Sequence, residues 1–102
     1  MGKNRVIESL IRLIANVVVH EIILENTNRP ESAHFLNSEV IEYRSQTGAV
    51  AREFNWNDED REYVEREALK KIKDKLSIKY SDVKYSEQKL ARKLKEMIKD
   101  VM

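Results

Sequence analysis

The sequence contains no cysteine, one proline and two glycines among its 102 residues. The lack of cysteine excludes disulfide bonds, thiol nucleophiles and thiolate metal ligands, and it is typical of a reducing compartment. We therefore expect a cytoplasmic protein. Proline and glycine are the strongest breakers of helices, and Lys, Glu, Arg and Leu are abundant here, so the composition favours helices over strands.

A long uninterrupted apolar run is also missing. Residues 5–25 form the most apolar region, but charged and polar side chains interrupt it throughout. A membrane-spanning helix needs about 20 mostly apolar residues and tolerates charge poorly. No small-residue cleavage site follows the region, as a signal peptide would require. We predict a soluble protein without membrane contact, folded as a single helical domain over residues 1–102.

Within residues 4–25, the apolar side chains follow a helical spacing and form two adjacent seams. The first seam consists of Val6, Leu10, Leu13, Val17, His20 and Leu24. The second seam consists of Ile7, Ile11, Ile14, Val18 and Ile22. The stripe left for solvent consists of Arg5, Glu8, Arg12 and Asn16. An ordinary surface helix has an apolar stripe somewhat wider than about 100°. The wider surface predicted here requires more than one neighbouring element.

Residues 30–54 admit two structures, because Gly48 follows a polar run in the middle of the segment. Helix-compatible positions recur every three or four residues across the whole segment, without interruption at Gly48. They are Ala33, Leu36, Val40, Tyr43, Thr47, Val50 and Phe54. This spacing predicts one helix, in which Gly48 costs about 1 kcal/mol relative to alanine. The alternative is an α+β fold with a β-hairpin at residues 39–55, but the segment lacks the strict alternation of a half-buried strand.

Two further helices are predicted in the second half of the chain. Asn57 can cap one of them, because asparagine is a preferred residue at a helix start. The three acidic residues that follow also favour a helix start there, since they suit the positive end of the helix dipole. Ser86 can cap the other. The predicted buried stripes are Val64, Ala68, Leu69, Ile72 and Leu76, then Leu90, Leu94, Met97, Ile98 and Val101. With a short turn between the first two helices, the chain is predicted to be all-α and four-helix bundle-like.

Charge is distributed unevenly along the chain. Residues 1–69 carry a net charge of −5, and residues 70–102 carry +6. Either the acidic stretch 58–67 complements the basic segment inside the molecule, or the basic segment binds an anionic partner. The second explanation predicts nucleic-acid binding through a set of basic residues next to tyrosines. That set is Lys79, Lys84, Lys89, Arg92, Lys93, Lys95 and Lys99.

The two histidines are the candidates for metal binding. Glu31 and His34 have the Glu-x-x-His spacing that forms half of a di-metal site in some four-helix bundles. His20 and Glu21 are the candidate ligands from the first helix. The chain lacks a second Glu-x-x-His motif, so we expect neither a bound metal nor a cofactor. A polar residue in an apolar seam often sets helix register or partner choice, and this is the role predicted for His20.

Arg29 and His34 are the candidates for catalysis. Their spacing resembles the short arginine-to-histidine spacing of one class of small helical ribonuclease domains, the HEPN group. The resemblance implies that Arg29 holds a phosphate while His34 transfers a proton. It covers six residues, and Pro30 stands where that pattern has a polar residue. On this basis we assign the chain to no family and predict no catalytic residue.

The second seam of the first helix predicts self-association. In a chain of this size, the last two helices each offer one narrow apolar stripe, which leaves part of that seam without cover. Exposed branched side chains are an aggregation hazard, so a partner is expected to bury them. We predict a homo-oligomer, in the simplest case a dimer, formed through Ile7, Ile11, Ile14, Val18 and Ile22. The expected function is a non-catalytic structural or interaction module that self-associates or docks on a protein partner. Nucleic-acid binding through residues 70–99 is the alternative, and a small helical metal-binding or ribonuclease-like protein that uses Arg29, Glu31 and His34 is a lesser one.

Overall fold

The structure is a computed structural model that describes the backbone of residues 3–26, 30–78 and 85–102, and the side chains of residues 4–25, 38–78 and 85–102. The described residues form four α-helices and no strand. The helices are α1 (Lys3–Asn26), α2 (Pro30–Ala51), α3 (Asp58–Ile78) and α4 (Glu87–Val101). The all-α, four-helix prediction is confirmed. The alternative hairpin at residues 39–55 is wrong, because most of that segment lies inside α2.

The helix α2 continues through Gly48 but ends earlier than its sequence spacing predicts. The last helical residue is Ala51, whereas the spacing extends to Phe54. Trp56 donates its indole Nε1–H to the carbonyl oxygen of Ala51 at 2.7 Å. This bond satisfies one of the carbonyl groups that a helix end leaves without a helical partner. Trp56 and Phe54 then pack against the core, with ring centroids 5.9 Å apart.

Gly48 provides a first prediction. A β-carbon at this position would approach one neighbouring side chain, the Nη2 end of Arg52 at 3.3 Å. Glycine is about 1 kcal/mol less favourable than alanine inside a helix. Gly48→Ala is therefore expected to raise the midpoint of thermal unfolding by up to about 4–8 °C, measured by circular dichroism. An unchanged or lower midpoint would mean that disturbing the bond from Arg52 Nε to the Gly48 carbonyl (3.1 Å) outweighs the gain.

The predicted caps of α3 and α4 are confirmed. The side chain of Asn57 accepts from the Asp60 amide at 2.8 Å, and the Asp60 carboxylate accepts from the Asn57 amide at 3.3 Å. This reciprocal pair satisfies two amide groups that a helix start leaves without helical partners. Ser86 caps α4, where its side chain accepts from the Lys89 amide at 3.4 Å.

The helix α1 is the centre of the fold. It contacts each of the other three helices, while α4 packs against α3 and touches α2. In the described part of the chain, α2 and α3 do not contact each other. The helices α2 and α3 therefore lie on different sides of α1, and α4 covers a third side. No helix among the described residues is long and apolar enough to cross a membrane.

Both seams of α1 contribute to the core of one chain. The five residues predicted to form a dimer interface are all buried without a second copy: Ile7, Ile11, Ile14, Val18 and Ile22. The premise that a single chain cannot cover this seam does not hold, because α3 and α4 meet it with buried stripes. Those stripes are Val64, Ala68, Ile72 and Leu76, then Leu90, Leu94, Met97 and Ile98. Homo-oligomerisation stays a prediction, but it loses the surface that suggested it.

Candidate functional site

The carboxylate of Glu21 joins three helices. Arg44 of α2 donates from Nε (3.0 Å) and Nη2 (2.5 Å) to Glu21 Oε1. Lys93 of α4 places its Nζ 3.8 Å from Glu21 Oε2. The side chains of Glu21 and Lys93 are only 17% and 18% exposed, so water weakens this attraction less than it does at the surface. Glu21, a metal-ligand candidate in the sequence, is therefore engaged by two cations.

Glu25 makes a similar link between α1 and α4. Lys93 Nζ lies 2.6 Å from Glu25 Oε1, and Lys89 Nζ lies 3.2 Å from Oε2. The hydrogen bond from Lys93 lowers the pKa of the Glu25 carboxyl, although partial burial acts in the opposite direction. The carboxylate is therefore ionised at neutral pH. As a result, Lys89 and Lys93, two of the predicted nucleic-acid-binding residues, are neutralised within the chain.

In the part of the chain that the structure describes, the acidic stretch 58–67 pairs with the basic segment 70–102 at one position, Lys70, and the lysines of α4 pair with other acids. Among the described residues, the carboxylates of this stretch pair within α3, as Arg61 with Asp58 (3.1 Å) and Lys70 with Glu67 (3.1 Å). None of their ion pairs reaches α4. The neutralising acids come from α1 because α3 and α4 meet through apolar stripes, whereas the polar edge of α4 meets the end of α1.

The remaining basic residues of α4 lie on its exposed side. Arg92, Lys95 and Lys99 are exposed, and they make no ion pair within the described part of the chain. Two more candidates, Lys79 and Lys84, lie outside the described residues. The structure therefore divides the basic residues of α4 into a neutralised pair and an available row of three.

His20 links α1 to α2. Its Nδ1 lies 2.7 Å from the carbonyl oxygen of Asn16, and its Nε2 lies 2.8 Å from the Glu39 carboxylate. The two contacts hold the two nitrogens of the ring against oxygen atoms of two different helices. The ring of Tyr43 lies beside the imidazole, with centroids 5.4 Å apart. The register-setting role of His20 stays a prediction.

The structure does not describe the side chains of the remaining metal and catalytic candidates. Arg29 lies outside the described residues, as do the side chains of Glu31 and His34. Among the side chains that are described, no group of three or more histidine, aspartate and glutamate residues is placed to hold a metal ion.

A groove of about 780 Å³ runs between α1 and α3. It exists because α1 separates α2 from α3, and its lining includes no residue of α4. The apolar lining consists of Val6, Ile11 and Val50. The charged lining consists of Arg5, Arg12, Lys70 and Lys71 with Glu8, Glu53, Glu67 and Asp74. Ser9 lies among the charged residues of α1, and Tyr63 of α3 completes the lining.

Most charges in this groove have no counterion among the described residues. Lys70 pairs with Glu67, but the other six charged residues make no ion pair with any described residue. They are the cations Arg5, Arg12 and Lys71 and the anions Glu8, Glu53 and Asp74. This differs from the end of α1, where Glu21 and Glu25 are both paired. The groove therefore offers both signs of charge, in equal number, to a ligand.

The sequence pattern predicts one wall of this groove but not the groove itself. Arg5, Glu8 and Arg12 are exposed, as the stripe predicted on the first helix requires. The α3 wall was missed, because nothing in the periodicity shows that the outer residues of α3 lie next to that stripe. The exposed Tyr63 was the available signal, since a large aromatic residue outside a buried stripe often marks a contact surface.

The fold and these surfaces define an all-α, four-helix domain with a charged groove on the open side of its central helix. Comparison with known proteins adds no relative: no family model, no curated protein and no solved structure matches the chain.

Proposed function

We propose that the protein is a non-catalytic docking module that binds a helical segment of a partner protein in the groove between α1 and α3. One observation carries the proposal: three cations and three anions that pair with no described residue surround the apolar residues of a single groove. A partner with the complementary pattern would provide counterions to both sets. Such complementarity orients a partner and selects against wrong ones.

The balance of charge favours a protein over other classes of partner. Nucleic acid and anionic membranes carry charge of one sign, so they would bring phosphates next to Glu8, Glu53 and Asp74. A protein segment can present both signs at once.

The shape of the groove favours a helix as the bound segment. The exposed wall of α1 covers residues 5–12, and that of α3 covers residues 63–74, which is about 10 Å and 16 Å at 1.5 Å per residue. Two neighbouring helices present a long shallow channel, into which the side-chain ridges of a third helix can pack. The matching length on the partner is about three helical turns.

Tyr63 is suited to anchor the partner. Its side chain is exposed, and the guanidinium of Arg66 lies 5.7 Å from the ring centroid. Tyrosine and arginine are enriched among the residues that contribute most binding energy at protein interfaces. A contact with Tyr63 would bury an aromatic surface that the chain itself leaves in water.

Site-specific crosslinking in the source cell tests this proposal. A photoreactive phenylalanine analogue at Ser9 is expected to crosslink a protein, while the same analogue at the exposed Gln88 of α4 is not. The crosslinked peptide is expected to be helix-forming and to carry both acidic and basic residues. With the purified partner, Arg5→Glu combined with Arg12→Glu is expected to weaken binding at least tenfold, or about 1.4 kcal/mol.

The matched control reverses two charges outside the groove, Arg92→Glu with Lys95→Glu, and is expected to leave the affinity for the partner unchanged. Crosslinking of Ser9 to a second copy of the chain would replace this proposal with a homodimer. Equal loss of affinity in both double variants would reduce the effect to net charge and overturn the groove as the docking site.

A further inference from the structure

The row of basic residues on α4 is a second surface, separate from the groove. Arg92, Lys95 and Lys99 recur at intervals of three and four residues, so they lie on one side of the helix. At 1.5 Å per residue the row is about 10 Å long. All three side chains are exposed, and none forms an ion pair with a described residue.

A fourth cation extends this row beyond the end of α4. Arg61 of α3 donates from Nη2 to the carbonyl oxygen of Met102 at 2.9 Å, which fixes its guanidinium next to the last turn of α4. With Lys95 and Lys99 it lines a depression of about 370 Å³, where Ile98 supplies apolar lining. Arg61 also pairs with the highly exposed Asp58 at 3.1 Å.

The net charge of this surface differs from that of the groove, where cations and anions are equal in number. Glu65 lines the depression, Glu96 lies on α4 between the lysines, and Asp58 pairs with Arg61, so the surface holds four cations and three carboxylates. The excess is positive and arranged in a line. Lys89 and Lys93 do not add to it, because Glu21 and Glu25 neutralise them.

We propose that this row, Arg61, Arg92, Lys95 and Lys99, binds the phosphate backbone of nucleic acid along the outer side of α4. The three residues of α4 span about 10 Å and Arg61 extends the row beyond them, so the four cations can each contact one phosphate of a strand. An anionic membrane fits less well, because surface-binding helices also insert exposed apolar side chains. The large exposed apolar residues among those described lie elsewhere: Ile41, Tyr63, Ile78 and Tyr85.

Fluorescence anisotropy with a labelled 20-nucleotide single strand tests the proposal in a series of salt concentrations. The expected affinity is weak, with a Kd of about 10⁻⁴ to 10⁻⁶ M at physiological salt, as for binding without sequence preference. Each phosphate contact contributes about −0.7 to the slope of log K against log salt, so four contacts predict a slope near −3. Arg92→Gln, Lys95→Gln and Lys99→Gln together are expected to weaken binding at least tenfold and to reduce the slope by about 2.

The matched control removes the same number of positive charges from the groove, as Arg12→Gln, Lys70→Gln and Lys71→Gln. This variant is expected to keep the wild-type slope, and circular dichroism checks that both variants remain helical. Equal weakening by the two triple variants would overturn the assignment, as would absence of wild-type binding at about 50 mM salt. Binding to vesicles containing phosphatidylserine, without binding to the oligonucleotide, would assign the row to a membrane surface instead.

Discussion

Val18→Glu is expected to destabilise the protein severely. Val18 is fully buried in the middle of α1, inside the core formed by all four helices. An uncompensated charge in such a position costs about 3–5 kcal/mol, a large part of the 5–15 kcal/mol that stabilises a typical domain. The midpoint of thermal unfolding is expected to fall by about 15 °C or more. Thermal and urea unfolding followed by circular dichroism measure the change.

The control introduces the same charge at an exposed apolar residue. The side chain of Ile41 in α2 is 63% exposed, so Ile41→Glu is expected to change the free energy of unfolding by no more than about 0.5 kcal/mol. The pair of variants also tests whether the second seam of α1 belongs to the core of one chain or to an interface between copies. If Val18→Glu gave a stable, fully helical monomer from a wild-type dimer, the seam would be an interface between copies rather than part of a monomer core.

Glu21→Lys is expected to have the second largest effect on stability. The substitution removes a carboxylate that accepts two hydrogen bonds from Arg44, and it brings a third cation next to Arg44 and Lys93. Hydrogen bonds to charged groups contribute about 1.5–3 kcal/mol each, and part of this is regained from water at the half-exposed Arg44. We expect a loss of about 2–3 kcal/mol, measured by urea unfolding.

A double variant distinguishes the loss of charge pairing from other effects of the substitution at this position. Glu21→Lys combined with Arg44→Glu restores opposite signs across the α1–α2 contact and is expected to recover part of the lost stability. Glu96→Lys makes the same change at an exposed residue of α4 that has no ion pair with a described residue, and it is expected to cost about 1 kcal/mol or less, from repulsion by Arg92 and Lys99 one turn away. If Glu21→Lys matched this control, the three-helix link would contribute nothing to stability.

The elements of the fold could be predicted from the sequence because local rules determine them. The seams of α1 and the buried stripes of α3 and α4 follow from helical spacing, and the caps at Asn57 and Ser86 follow from residue type. The end of α2 could not be found in this way. It depends on Trp56, whose indole donates to Ala51, and an apolar spacing carries no information about such a bond.

The binding surfaces were less accessible to sequence reasoning, because they depend on which helices become neighbours. Many carboxylates were available to neutralise the lysines of α4, and only the packing of α1 against α4 selects Glu21 and Glu25. The groove depends on the separation of α2 from α3, which the sequence does not show. The same packing explains why the second seam of α1 was assigned to a partner: its cover comes from parts of α3 and α4 far away in the sequence.

The central position of α1 has a consequence for synthesis of the chain. The helix precedes its three neighbours in the sequence, so it leaves the ribosome before each of them and at first has none of these helices to pack against. The following segment, α2, can cover one side early, but the seam met by α4 stays open until the last of the four helices emerges. Partly made chains therefore expose Ile14 and Val18 to water, and their protection against aggregation depends on rapid completion or on chaperones.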